Sequence, residues 1–473
     1  MIFSSLKFMI FFPVVTLIYY LIPRKLKVYW LLAASYYFYM SWNMKYVMLI
    51  ATSTLVSYLC AIAIEKTSSV KKKRIYIAVA LIISLGILFI FKYFNFVVKS
   101  IASIVTFNPV YLKLILPVGI SFYTFQTLSY VVDVYKGKIQ AERNLGVYAA
   151  FVSFFPQLVA GPIERATNLL PQIKRESRFN YDMACEGVFL IIWGLYKKIV
   201  IADNLAVWAD KVYGSVSSYS GSSLLLATLF FTFQIYCDFS GYSDIARGSA
   251  KLFNIELMEN FKSPYFSTSI KEFWGRWHIS LSTWFRDYVY IPLGGNRVSK
   301  VRTIINLMIT FLVSGLWHGA NWTFVLWGGI HGIGQVIENV LGIEKYQKHN
   351  FFWPVRVLFT FLFVMLAWVF FRAADISAAF YIIKHIFVGI SNPVTYIISG
   401  FKSLGINKIT LLKIAVIYVL PLFVYDYYCL HKNAYKCLQE KSVSVRYSLL
   451  TLAIVLMLLF GYVGQSTFVY FQF

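Results

Sequence analysis

Blocks of nearly unbroken apolar residues leave this chain few ways to fold. They run from Phe8 to Ile22, Tyr46 to Ile64, Tyr76 to Phe91, Phe352 to Phe371, Leu411 to Tyr428 and Tyr447 to Phe460. Several approach the ~20 residues that a helix needs to cross ~30 Å of hydrocarbon. Where no water is available, backbone polar groups must be bonded within the segment, which favours helices. One such block could be a buried core helix, but a series of them implies an all-α, polytopic transmembrane helical bundle. With broken or re-entrant segments included, roughly 10–12 membrane segments are expected. Composition agrees, since 59% of residues are hydrophobic and 14% charged, against roughly 45–50% and about 25% in soluble domains. Tyrosine and tryptophan gather near the block ends, as interfacial anchors do.

A net charge of +24 would suggest nucleic acid in a soluble chain. Here the lysines and arginines sit in loops between spans, so the bilayer is the expected partner and nucleic acid is not. Arg24, Lys25 and Lys27 follow the first span, and Lys71, Lys72, Lys73 and Arg74 follow the third. Basic loops after odd-numbered spans place both in the cytoplasm and the N-terminus outside the cell membrane. Phe8 to Ile22 runs into Pro23-Arg24-Lys25 with no small-residue cleavage pattern, so it reads as a first span rather than a signal peptide. Of the five cysteines, Cys60, Cys185 and Cys237 are isolated. Cys429 and Cys437 flank His431, which could suit a soft metal, but scattered membrane cysteines are ordinarily small apolar residues and no metal is expected.

The chain reads as a single membrane-embedded domain, 1–473, in three stretches. Residues 1–110 are N-terminal spans, 112–345 an irregular core, and 352–473 a return to clean spans. The core concentrates Gly, Pro and charge at membrane depth, as in Leu116-Pro117-Val118-Gly119 and Asp238-Phe239-Ser240-Gly241-Tyr242-Ser243-Asp244. Polar groups there are costly and mark substrate paths.

His318, in Ser314-Gly315-Leu316-Trp317-His318-Gly319-Ala320, lies inside the apolar run Ile304 to Ile333. A neutral imidazole can take a proton from a hydroxyl at physiological pH, and burial favours the neutral form. The plainer alternative is a core histidine bonded to a neighbouring carbonyl. Gly315 and Gly319 would admit a ligand or another backbone. His331, thirteen residues on, would stand about 20 Å away along one continuous helix. Unless Gly328 and Gly329 break that helix, it is a structural residue. Over Lys271 to Arg302, Phe273, Trp277, Leu281, Trp284, Phe285 and Tyr288 recur at helical spacing, with Arg276, Ser280, Thr283 and Asp287 on another face. This predicts an amphipathic interfacial helix over 271–290, carrying His278 and ending at the turn Pro292 to Arg297. Arg276, Arg286, Arg297, Lys300 and Arg302 are either ordinary interfacial arginines and lysine or a mouth for a phosphorylated donor. No Gly-x-Ser-x-Gly elbow, Walker loop or His-Glu-x-x-His motif is present.

Glu272-Phe273-Trp274-Gly275-Arg276-Trp277-His278-Ile279-Ser280, Trp284-Phe285-Arg286-Asp287-Tyr288 and Gly315-Leu316-Trp317-His318-Gly319-Ala320 resemble motifs of the membrane-bound O-acyltransferase family. They are most similar to its bacterial polysaccharide-acetylating, alginate O-acetyltransferase-like branch. Pro117 to Tyr123, Phe154 to Ile163 and Tyr236 to Asp244 agree in order, so the resemblance covers residues 1–345 by motif and the rest by hydropathy. It implies a funnel through the membrane, an essential histidine at His318 and a second at His278. It also implies acetyl-CoA as the donor substrate, with no bound cofactor, and an extracytoplasmic acetyltransferase partner or the polysaccharide itself as acceptor. Arg276, Arg286, Asp287 and Trp317 are the candidates for substrate binding. A basic residue is expected at Gly275, and its absence leaves Arg276 as the anion contact. The expected function is O-acetylation of an exopolysaccharide or other envelope polymer. Alternatives are acylation of protein or lipid, or a transporter or flippase without covalent chemistry, although no internal repeat supports the last.

Overall fold

Among the described residues, seven helices are long and apolar enough to cross a membrane: Met44–Lys66, Val70–Ala102, Ser222–Lys251, Lys300–His318, Trp353–Arg372, Lys408–Leu430 and Val443–Phe460, with Leu6–Leu21 a shorter apolar one. The computed structural model describes residues 1–159, 161–175, 178–343, 351–464 and 468–469. Ala160 of the Phe154 to Ile163 motif and the side chain of His431 lie outside the described residues. Among the described residues regular structure is helical throughout, with no strand. Several helices carry π-segments, such as Phe89–Tyr93 and Tyr196–Ala202. No residue of Val443–Phe460 is fully buried, although Leu456, Met457 and Phe460 pack against the core. Leu452, Leu458 and Leu459 are exposed on it, as suits a helix facing lipid.

The chain divides into two units. The first comprises Met1–Ile191 with Tyr242–Met258, the second Ile192–Gly241 with Glu259–Phe473. In the first unit, α1 (Leu6–Leu21) is capped by Ser5, which accepts from Phe8 N–H, and ends just before Pro23. α2 (Lys27–Met40) packs on α6 (Leu145–Ser153), and α3 (Val47–Lys66) on α4 (Val70–Leu88) and α5 (Ile120–Tyr135). The hydroxyls buried in α3 are satisfied locally. Thr54 donates to Ile50 O, and Ser57 to Ser53 O, while Tyr148 donates to Ser57 Oγ at 2.7 Å. Polar side chains thereby survive in an apolar layer.

The second unit takes the early part of α7 (Ser222–Lys251) and holds both histidine motifs. Its core is aromatic. Trp277 packs on Trp368 at 5.0 Å, and Trp327 stacks on Trp368 at 5.5 Å. The expected interfacial helix over 271–290 is not continuous. α8 (Ile270–Arg276) stops at Trp277, α9 (Ile279–Phe285) follows His278, and Arg286–Tyr290 is a π-segment. Trp277 is extended and His278 left-handed, so the three- and four-residue spacing continues across a break. Phe273, Trp277 and Leu281 are core residues, at most 1% exposed. The turn expected at Pro292 to Arg297 is present, with Gly294 and Gly295 at positive φ.

Candidate active site

α10 (Lys300–His318) and α11 (Trp322–Leu341) form a hairpin whose turn is Gly319–Asn321. Gly319 is extended, and the Asn321 side chain caps α11 by accepting from Thr323 N–H at 3.1 Å. The arms approach closely. A Cβ on Gly315 would collide with the Phe324 carbonyl oxygen, one on Gly328 with the Phe311 carbonyl, and one on Gly319 with the Phe324 ring. The glycines of the motif therefore admit the partner helix. His318 is the last residue of α10, where the final carbonyls carry partial negative charge.

This placement corrects the helical distance between the histidines. The helix breaks at Gly319–Asn321, while Gly328 and Gly329 lie within an unbroken α11. His318 and His331 therefore sit on opposite arms, each 5.0 Å from the Trp327 ring. What separates their tasks is bonding. Trp274 Nε1 donates to His331 Nδ1 at 3.2 Å, which leaves the His331 proton on Nε2.

His278 comes to His318 from the α8–α9 break. It is fully buried, with φ +44° and ψ 52°. Burial pushes its imidazole down to about 3, so it is neutral at physiological pH. Its ring lies 6.3 Å from that of His318, edge-on to Phe239 at 4.6 Å and 6.1 Å from Trp317. Trp317 meets His318 at 5.0 Å, and Phe371 closes another side at 5.4 Å. Three of the expected residues, His318, His278 and Trp317, thus form one buried cluster.

The other three lie apart from that cluster's ring contacts. Arg276 ends α8, pairs with Glu272 at 2.7 Å and reaches the Lys262 carbonyl at 3.4 Å. Glu272 is itself held by Thr268 N–H and Oγ–H at 2.7 and 2.8 Å. Arg286 and Asp287 pair with each other at 2.9 Å on the π-segment, where the Arg286 side chain is 60% exposed.

Further residues around the cluster carried weaker sequence signals. Lys198 bridges Asp203 and Asp238 at 2.8 Å each, all three buried. Asp238 also accepts from Val469 N–H at 2.7 Å, and its neighbour Phe239 is the ring against His278. The motif containing Asp238 stands out by composition, whereas Lys198 is detectable only as a charge inside the apolar stretch Val188 to Ala202. The shared wall residues Trp327 and Phe371 had no local signal beyond being aromatic.

Comparison with known proteins gives the same motifs a wider setting. The membrane-bound O-acyltransferase family model matches residues 143–374. A probable alginate O-acetylase of Azotobacter vinelandii is 43% identical over 80% of this chain and 76% of its own length. A peptidoglycan O-acetyltransferase of Helicobacter pylori is 36% identical over 94% of this chain and 91% of its own. A teichoic acid D-alanyltransferase of Streptococcus thermophilus is 30% identical over 54% of this chain and 67% of its own.

Proposed function

This chain belongs to the membrane-bound O-acyltransferase family, and from that premise we propose that it moves an acetyl group from cytoplasmic acetyl-CoA to a hydroxyl of an envelope polysaccharide. The observation that carries the reading is the meeting of His318 and His278, 6.3 Å apart, inside an aromatic wall. The relatives' names supply the acetyl group and the class of acceptor. Alginate and peptidoglycan share sugar hydroxyls, which favours a polymer over lipid or protein.

A thioester is already activated, so two tasks remain. The acceptor hydroxyl must lose a proton, and negative charge developing on the carbonyl oxygen must be met by a donor. His318 takes the hydroxyl proton as general base. The alkoxide oxygen bonds to the acetyl carbon, the C–S bond breaks, and the proton on His318 passes to the departing thiolate. The carbonyls ending α10 compensate the positive charge that His318 carries meanwhile. A neutral His278 has one N–H to offer the carbonyl oxygen, and the Trp317 indole N–H is the alternative donor. Arg276 and Arg286, with Asp287 steering Arg286, are the groups for the phosphates of the donor. The basic loops at Arg24 to Lys27 and Lys71 to Arg74 put the donor on their side and the N-terminus opposite. An extracytoplasmic acetyltransferase is the alternative first recipient.

The test uses purified protein in lipid nanodiscs with acetyl-CoA and oligosaccharides of alginate or peptidoglycan type. The wild type is expected to release CoA and add an acetyl mass to one of them. H318A is expected to insert normally and do neither. Acetylation retained by H318A would sink the mechanism.

A further inference from the structure

The first amides of a helix have no partner within it, and the residue before the helix commonly uses its own side chain to cap them. His278 occupies that place ahead of α9 and makes no side-chain cap. Asn260, twenty residues before Ser280, supplies the cap. Its backbone carbonyl accepts from Ile279 N–H at 3.0 Å, and its Oδ1 accepts from Ser280 N–H at 3.2 Å. Asn260 is 1% exposed.

We propose that Asn260 is a positioning residue for acyl transfer, capping α9 in place of His278 so that the imidazole is turned toward His318. The inference rests on the reading of His278 and His318 as the reacting pair. Two features connect the cap to the ring. A left-handed conformation costs a non-glycine residue on the order of 1–3 kcal/mol and persists only where the surroundings hold it. At His278 the holding bonds come from Asn260, on the two residues that follow it. The second feature is the ring's surroundings, edge-on to Phe239 at 4.6 Å and 6.3 Å from His318. Without the Asn260 carboxamide, the Ser280 amide loses the Oδ1 acceptor. His278 then gains by relaxing to the extended conformation usual for a cap and by bending its imidazole back onto α9. That movement takes the ring away from His318.

The substitutions separate positioning from bulk stability. N260A removes Oδ1. N260D keeps an acceptor there, and the Nδ2 that it replaces has no hydrogen-bond partner among the described residues. A carboxylate at a helix N-terminus is also electrostatically tolerated. In acetyl-CoA turnover with added alginate or peptidoglycan oligosaccharides, kcat per folded N260A is expected to fall roughly 10- to 100-fold, with KM for acetyl-CoA little changed. N260D is expected to recover most of that loss. A cryo-EM map of N260A should show His278 at negative φ with its ring withdrawn from His318. If N260A does not accumulate in the membrane, N260L, which fills the same space without an acceptor, carries the same comparison with N260D. Wild-type kcat in folded N260A, an equal loss in N260A and N260D, or an unmoved His278 ring each overturns the proposal. The H318A measurement keeps the two failures distinct. Turnover surviving in H318A removes the reading of the site, while the position of His278 in N260A still reports on the cap.

Discussion

At the scale of single residues, His278 joins a strained backbone to a buried ring, and the two can be tested apart. Asparagine tolerates the left-handed region better than most side chains but has no imidazole. H278N is therefore expected to fold with a melting temperature near that of the wild type and to lose acetyl-CoA turnover. If H278N turns over normally, His278 acts only through its backbone. Gly275 presents the opposite case. It lies in α8 with nothing within 4 Å of where a Cβ would stand. G275A should therefore raise stability by about 0.5–1 kcal/mol through helix propensity, and G275R should fit without displacing a neighbour. Thermal unfolding in detergent measures both.

At the scale of elements, the α10–α11 hairpin depends on two glycines that let backbones touch. G315A drives a methyl into the Phe324 carbonyl, a packing fault that costs typically about 1–3 kcal/mol. It should also displace His318, three residues on. G329A is the control, since its nearest neighbour is the Leu312 side chain at 3.6 Å. A lower melting temperature for G315A than for G329A is the expected result. α8 makes a pH-dependent contribution through Glu272. Burial opposes ionisation of this carboxyl, but hydrogen bonds from Thr268 and the Arg276 guanidinium outweigh it and hold it below its ordinary 4.5. The folded value lies below the unfolded one, so this contribution is present above the ordinary value and is lost as pH falls through the folded value. E272Q should flatten the acid limb of a plot of melting temperature against pH. These elements also show where sequence reading stopped. The hairpin turn was hidden because Gly319-Ala320-Asn321 interrupts the apolar run with one polar residue, and Asn321 is recognisable as a cap only once a break is admitted. The α8–α9 break was hidden because hydrophobic spacing continues through Trp277 and His278, both buried in the core.

For the molecule as a whole, the membrane character and helical class were legible because hydrocarbon admits so few structures. The pairing of His318 with His278 followed from motif resemblance and could not have come from spacing, since the two positions are forty apart, with α9 between them and His318 at the far end of α10. Least legible was the buried Lys198–Asp203–Asp238 group, because nothing in the sequence ties Lys198 and Asp203 to Asp238 thirty-five residues later. K198M would leave two carboxylates buried together without their cation, and a loss of about 3–5 kcal/mol is expected. The doubly changed K198M/D238N should be less damaged than K198M, as thermal unfolding would show. The hydrogen bond from Val469 to Asp238 also sets a schedule for biogenesis. Helices enter the membrane in the order of synthesis, so Asp238 is in place long before its last partner exists. Until residue 469 leaves the ribosome, the carboxylate beside Phe239 lacks that amide, and the wall behind His278 is unfinished. The growing chain therefore passes through much of its synthesis with the Asp238 carboxylate short of one of its hydrogen bonds.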